Sequence, residues 1–187
     1  MNFKTRFHEQ YNISTASVNK NISHNLFYHQ PPTWFEEHYP EIRNKQWICI
    51  SRNPYSRYVS WFFFIKKRQR EGNNKVNWEG KSFEYFVKKD LIEKARTNEK
   101  YQIFASQGGL WDAGDAQSFW LRDKTSMKSF RLEDQLPEME EYTKTKFIDS
   151  NINTTNHGSW EPYYTEELKG LVYEKYSEDF TNFGYSR

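Results

Sequence analysis

The sequence predicts a mixed α/β fold in which short strands alternate with helices. A short apolar segment at residues 46–51 ends at a turn signal and predicts a buried strand. A stretch without helix breakers follows it and predicts a helix from Tyr55 to about Arg70. Aromatic residues make up 19% of the chain and outnumber Ile, Leu and Val combined. Because disordered segments are poor in aromatic residues, we expect a packed core in spite of the mean hydropathy of −1.04.

The boundaries of this first helix follow from particular residues. Asn53 is a favoured N-cap residue, and Pro54 suits the first helical position because its missing N–H has no partner there in any case. Four cations between residues 66 and 70 suit the negative end of the helix dipole, and Gly72 closes the helix.

Further elements are predicted between cap residues, prolines and polar stretches. In chain order they are a helix over 82–95, a short helix over 115–121, a strand over 129–132, a helix over 137–144 and a helix over 165–176. Residues 98–114 and 149–161 are rich in glycine or polar residues, so we expect loops there.

Length and charge limit the classes of protein to be considered. A chain of 187 residues has room for one ordinary domain, with residues 1–45 as a polar N-terminal segment. The net charge of +2 is too balanced for a protein that binds nucleic acid through a broad basic face. The sequence has no apolar run long enough for a membrane span and no apolar signal segment at its start, so we expect a cytoplasmic protein.

Metal binding is not expected from the sequence. The single cysteine, Cys49, excludes an intrachain disulfide and a zinc site built from several cysteines. His24 and His29, with His38 beyond them, do not have a recognised metal-ligand spacing.

The junction between the first strand and its helix predicts an anion site. Arg52 lies at the carboxyl end of the strand, where ligands bind in open α/β sheets, and its guanidinium matches phosphate oxygens. The following helix is expected to offer free N–H groups and the positive end of its dipole. Ser60 supplies a hydroxyl two turns into the helix, and Arg57 is its neighbour on the surface. The alternative is a capped junction with a solvated arginine.

The residue pattern at this strand-to-helix junction resembles a known sequence motif. Arg52, Pro54, Arg57 and Ser60 form the pattern R-x-P-x-x-R-x-x-S after an apolar strand. This pattern resembles the 3′-phosphate-binding motif of sulfotransferases that use 3′-phosphoadenosine 5′-phosphosulfate (PAPS). Weaker resemblances to the Golgi-type carbohydrate branch (family 2-like) of that family follow in the expected order. They lie at residues 82–87, 117–121, 130–136, 153–157 and 163–185, so the resemblance covers about residues 46–187.

The resemblance implies a fold, a reaction and roles for particular residues. The fold would be P-loop-like, with a central parallel sheet flanked by helices, and the reaction would transfer a sulfuryl group from PAPS to a hydroxyl of a carbohydrate. Arg52 and Ser60 would bind the 3′-phosphate of this co-substrate, and no metal would take part. His29 is the first candidate for the general base and His24 the second. Glu133 is expected to order the fold rather than to take part in the chemistry.

One family feature has no counterpart in the sequence. The family's 5′-phosphosulfate loop, of the type K-T-[AG]-G-T-S, precedes the arginine motif, whereas the first glycine of this chain is Gly72. We therefore expect an N-terminally truncated chain, or else a divergent enzyme that uses Lys4. A missing N-terminal anchor would change the expected compartment to the Golgi lumen. The alternative function is a non-catalytic module of the same fold that binds nucleotide or glycan.

Overall fold

A computed structural model describes residues 32–71, 78–89, 116–118, 127–146 and 155–187. The helices in these ranges are α1 (Pro32–His38), α2 (Pro54–Arg70), α3 (Phe83–Lys88), α4 (Leu136–Thr143), α5 (Glu166–Lys175) and α6 (Ser177–Phe183). The strands there are β1 (Ile48–Ser51) and β2 (Lys128–Arg131), and two 3-10 turns lie at Pro40–Ile42 and Glu161–Tyr163. The fold is therefore mixed α/β, as the sequence predicts.

The two strands form a parallel pair with a defined register. Ile48 lies opposite Lys128, and Ser51 lies opposite Arg131. Parallel strands end at the same edge of a sheet. Arg52, which follows β1, and Leu132, which follows β2, therefore lie next to each other at this edge. This edge brings the predicted anion site next to Glu133.

The expectation that β1 is fully buried is wrong. Ile48 and Ile50 are 37% and 48% exposed, whereas Ser51 is buried. In the part of the chain that the structure describes, β1 pairs with β2 alone, and the face that carries the two isoleucines is left partly open. Cys49 is half-buried, and its burial raises the pKa of the thiol to about 11.

Helices α3, α5 and α6 pack against helix α2. Its buried residues Tyr55, Tyr58, Val59 and Phe62 are spaced three and four apart, so they form one apolar face. The Asn53 side chain caps the helix, as predicted, by accepting hydrogen bonds from the first free N–H groups.

The core on this face consists mainly of aromatic rings. The ring centroid of Tyr55 lies 5.0 Å from those of Trp160, Tyr164 and Phe180. These distances are typical of favourable ring pairs. The segment around the second 3-10 turn and helix α6 thereby pack against the first turn of α2, so both are positioned close to the predicted site.

Several predicted elements are confirmed and one was missed. The strand predicted over 129–132, the helix over 137–144 and the helix over 165–176 are observed as β2, α4 and α5. Helix α6 was not predicted, and the structure places Phe180, Phe183 and the carboxylate of Asp179 in the interior through it. Residues 90–95, 98–115, 119–121 and 149–154 lie outside the described residues.

None of the described helices is long and apolar enough to cross a membrane.

Candidate functional site

Arg52 lies where the sequence places it, directly after β1 and before α2. Its Nε donates a hydrogen bond to the Ser56 Oγ at 3.0 Å. No described residue accepts a hydrogen bond from the two terminal nitrogens of the Arg52 guanidinium. Burial lowers the pKa of Arg52, and the charges of Glu133 and Tyr185 act in the opposite direction. An arginine remains charged under these conditions, so the site contains a partly buried cation.

The expectation of free N–H groups at the start of α2 is wrong. Asn53 Oδ1 accepts hydrogen bonds from the N–H groups of Tyr55 (2.9 Å) and Ser56 (3.4 Å), and the N–H of Arg57 bonds the Asn53 carbonyl. Pro54 has no N–H to offer. An anion at this junction would therefore be bound by side chains and would gain only the helix dipole from the backbone.

Hydroxyl groups from two distant segments meet one helical turn beyond Ser56, the hydrogen-bond partner of Arg52. Ser56 and Ser60 are four residues apart on α2 and so lie on one face of the helix. The Ser60 Oγ lies 3.1 Å from the Thr155 Oγ1, and either oxygen can be the donor. We call Arg52, Ser56, Ser60 and Thr155 the Arg52 cluster. Arg52 and Ser60 are predicted from the sequence as site residues, whereas Ser56 and Thr155 are not. The four-residue spacing between Ser56 and Ser60 is the signal that could have indicated Ser56.

His157 lies close to this cluster on the same segment as Thr155. Its ring stacks on Phe63 with centroids 5.4 Å apart, and its carbonyl accepts a hydrogen bond from the Tyr163 hydroxyl at 3.0 Å. Burial lowers the pKa of His157, and the positive charge of Arg52 lowers it further, while a hydrogen bond with the Gly158 backbone opposes both. His157 is therefore neutral at neutral pH.

This lowered pKa predicts a pH dependence of stability. In the unfolded chain His157 takes up a proton near its ordinary pKa of 6.5, whereas in the folded chain it does so only at lower pH. The contribution of His157 to the stability of the folded state is therefore fully present above about pH 6.5 and is lost as the pH falls below that value. We expect the drop in melting temperature between about pH 7.5 and pH 5.5 to be smaller in His157→Gln than in the unchanged protein. An equal drop in both proteins would show that other groups cause it.

A second set of hydrogen bonds fixes Asn53. The Glu133 carboxylate accepts the N–H of Asn53 at 2.7 Å and the hydroxyl of Tyr185 at 2.9 Å. The Tyr185 hydroxyl also lies 3.2 Å from the Ser51 Oγ. Burial and the neighbouring Glu133 carboxylate raise the pKa of Tyr185, although the Ser51 hydrogen bond opposes them. These contacts support the structural role expected of Glu133.

A cavity of about 490 Å³ opens on the Asn53 and Ser56 side of the junction. Its charged wall residues include Arg131, which pairs with Asp134 at 2.6 Å, and Lys169, which pairs with Glu166 at 2.8 Å. The volume is in the range of small-molecule sites. Arg131 and Lys169 are therefore already paired with carboxylates.

Other predicted site residues fall beyond the part of the chain that the structure describes. His24, His29 and Lys4 all lie in residues 1–31. Among the described residues, no group of three or more His, Cys, Asp or Glu side chains is placed so that it could hold a metal ion.

The chain was compared with known protein families, curated proteins and solved structures. No protein-family model, no curated protein and no solved structure matches this chain. The functional interpretation therefore depends on the motif around Arg52 and on the geometry of the cluster.

Proposed function

We propose that the chain is a PAPS-dependent sulfotransferase of P-loop-like fold that transfers a sulfuryl group to a hydroxyl of a carbohydrate. The observation that carries this proposal is the Arg52 cluster at the carboxyl end of a parallel strand. In the cluster the guanidinium bonds the Ser56 hydroxyl, and the Ser60 hydroxyl, one helical turn further along α2, contacts that of Thr155. Cations and hydroxyls of this kind are suitable donors for a phosphate group.

The 3′-phosphate of PAPS fits the chemistry of this cluster. Arg52 supplies a positive charge in a partly desolvated place, where a charge-assisted hydrogen bond is stronger than in water. Ser60 supplies a hydroxyl whose partner, Thr155, is itself a hydroxyl and can rearrange to donate or accept. The start of α2 adds the favourable end of a helix dipole.

In the proposed reaction the oxygen of the acceptor attacks the sulfur of PAPS. An oxygen–sulfur bond forms while the bond from sulfur to the nucleotide's phosphate oxygen breaks, and the electron pair leaves with adenosine 3′,5′-bisphosphate. A general base accepts the proton of the hydroxyl. His29 remains the predicted base and His24 its alternative. Arg52 and Ser60 would hold the nucleotide and would not take part in the proton transfer.

The second candidate function is a module of the same fold that binds a nucleotide or a glycan without catalysis. The residues before Gly72 contain no glycine and therefore no K-T-[AG]-G-T-S loop, so this candidate asks for no chemistry that such a loop would supply. Such a loop supplies backbone N–H groups around the transferring group, and losing even one donor of this kind costs about 100-fold or more in rate.

Nucleotide binding tests the part of the proposal that the enzyme and a nucleotide-binding module share. By calorimetry we expect adenosine 3′,5′-bisphosphate to bind at least about tenfold more tightly than adenosine 5′-monophosphate, since it adds a charge-assisted contact. Adenosine 2′,5′-bisphosphate is the matched control, because it has the same charge with the phosphate on the other oxygen. Equal affinity for the three nucleotides would contradict the proposal. Turnover of PAPS with oligosaccharide acceptors would then distinguish the enzyme from the binding module.

A further inference from the structure

The main chain of Arg52 is held by one side chain from a distant part of the sequence. Gln117 Oε1 accepts the N–H of Arg52 at 2.9 Å, and Gln117 Nε2 donates to the Arg52 carbonyl at 2.8 Å. The two residues are 65 positions apart. The single amide group of Gln117 thus satisfies both the backbone N–H and the backbone carbonyl of Arg52, the first residue after β1.

Gln117 is itself fixed by a buried carboxylate. Asp179 of α6 is 0% exposed and accepts hydrogen bonds from the N–H groups of Gln117 (2.8 Å) and Ser118 (2.6 Å). A buried carboxylate is tolerated when hydrogen bonds replace its water, as these backbone groups do. The arrangement forms a chain of contacts from α6 through the 117–118 turn to the Arg52 backbone.

We propose that Gln117 is a positioning residue for the anion site, with Asp179 as its support. This inference rests on the proposed function, since it concerns how the Arg52 guanidinium is aimed at a 3′-phosphate. Fixing both the N–H and the carbonyl of Arg52 fixes the peptide planes on either side of its Cα and hence the direction in which its side chain leaves. The Nε bond to Ser56 then sets the plane of the guanidinium. Without Gln117, the backbone of Arg52 would adopt several conformations. A smaller fraction of the molecules would then place the guanidinium correctly for the phosphate.

The test compares Gln117→Met with Ser118→Ala. Methionine has a similar length but cannot form either hydrogen bond with Arg52. Ser118→Ala changes the neighbouring residue, whose side chain contacts Glu178 rather than Arg52, and it keeps the backbone N–H that Asp179 accepts. The readout is the ratio of the affinities for adenosine 3′,5′-bisphosphate and adenosine 2′,5′-bisphosphate, measured by calorimetry well below each variant's melting temperature.

We expect Gln117→Met to reduce this ratio about tenfold, the change that accompanies a loss of about 1.4 kcal/mol in one contact, and Ser118→Ala to leave it unchanged. A purely structural role would lower the melting temperature of Gln117→Met and leave the ratio of the folded protein unaltered, which would overturn the inference. If Gln117→Met does not fold, Gln117→Asn keeps the amide but is too short to span both groups, and the same change in the ratio is expected. A ratio near one in the unchanged protein would instead overturn the proposed function, and the inference with it.

Discussion

Replacing Arg52 with alanine should weaken the binding of adenosine 3′,5′-bisphosphate by about 10- to 100-fold. A hydrogen bond to a charged partner contributes about 1.5–3 kcal/mol, and each 1.4 kcal/mol corresponds to a factor of ten. Within the Arg52 cluster no other cation replaces the guanidinium, because the remaining members carry only hydroxyls. The affinity for adenosine 5′-monophosphate should change much less. Calorimetry with both nucleotides measures the two effects.

Two further variants separate a direct contact from a general effect of charge. Arg52→Lys keeps the charge but loses the planar fork of donors, so we expect an intermediate affinity. Arg70→Ala also removes one cation, but at the exposed far end of α2, about 24 Å along the helix from Pro54. It should leave the affinity unchanged. Equal losses in Arg52→Ala and Arg70→Ala would show that net charge, and not the cluster, binds the nucleotide.

Replacing Phe86 with alanine should lower the free energy of unfolding by about 3–5 kcal/mol. Phe86 is 1% exposed, and its ring lies 5.2–5.3 Å from those of four other aromatic residues. These partners are Tyr58, Trp61, Phe62 and Trp78. Alanine would leave a cavity that surrounding rings cannot fill by small movements, because planar side chains have few alternative rotamers. Urea unfolding followed by circular dichroism measures the change.

The adjacent residue provides a matched control. Tyr85 lies on the same helix, α3, but is 39% exposed and contacts the cations of Lys81 and Lys89 at its ring. Tyr85→Ala should cost no more than about 1 kcal/mol, since exposed cation–π contacts are weak. Similar losses from both substitutions would show that the buried ring contacts of Phe86 contribute no more than the exposed ring of Tyr85.

Much of the local structure could be predicted because its signals lie within a few residues. Three predicted helix starts are observed: Asn53 caps its helix as predicted, and Ser82 and Thr165, the first residues of two other predicted helices, each accept a hydrogen bond from an N–H three residues onward. The prediction of free N–H groups at the start of α2 was wrong, and the same local cap signal explains why. Asn53 cannot both cap the helix and leave its first N–H groups free, so the cap signal already argued against an anion bound by the backbone.

Helix α6 shows where local signals fail. Tyr176, which precedes it, makes no side-chain cap, and the helix buries Asp179, a residue type that is normally exposed. The buried carboxylate is stable because it accepts backbone N–H groups from the 117–118 turn, about 60 residues earlier in the chain. No pattern within the helix predicts this partner.

The sequence by itself determined the strand-to-helix junction, the position of Arg52 and the aromatic nature of the core, because caps, prolines and the spacing of apolar residues act over one or two turns. Only the tertiary structure decided which groups surround Arg52. Thr155 reaches Ser60 across 95 residues, and Gln117 reaches the Arg52 backbone across 65. The exposure of Ile48 and Ile50 was likewise decided by the sheet, since an apolar strand is buried only where other elements cover it. Contacts of this kind depend on how whole elements pack, and the periodicity of one element carries no information about its neighbours.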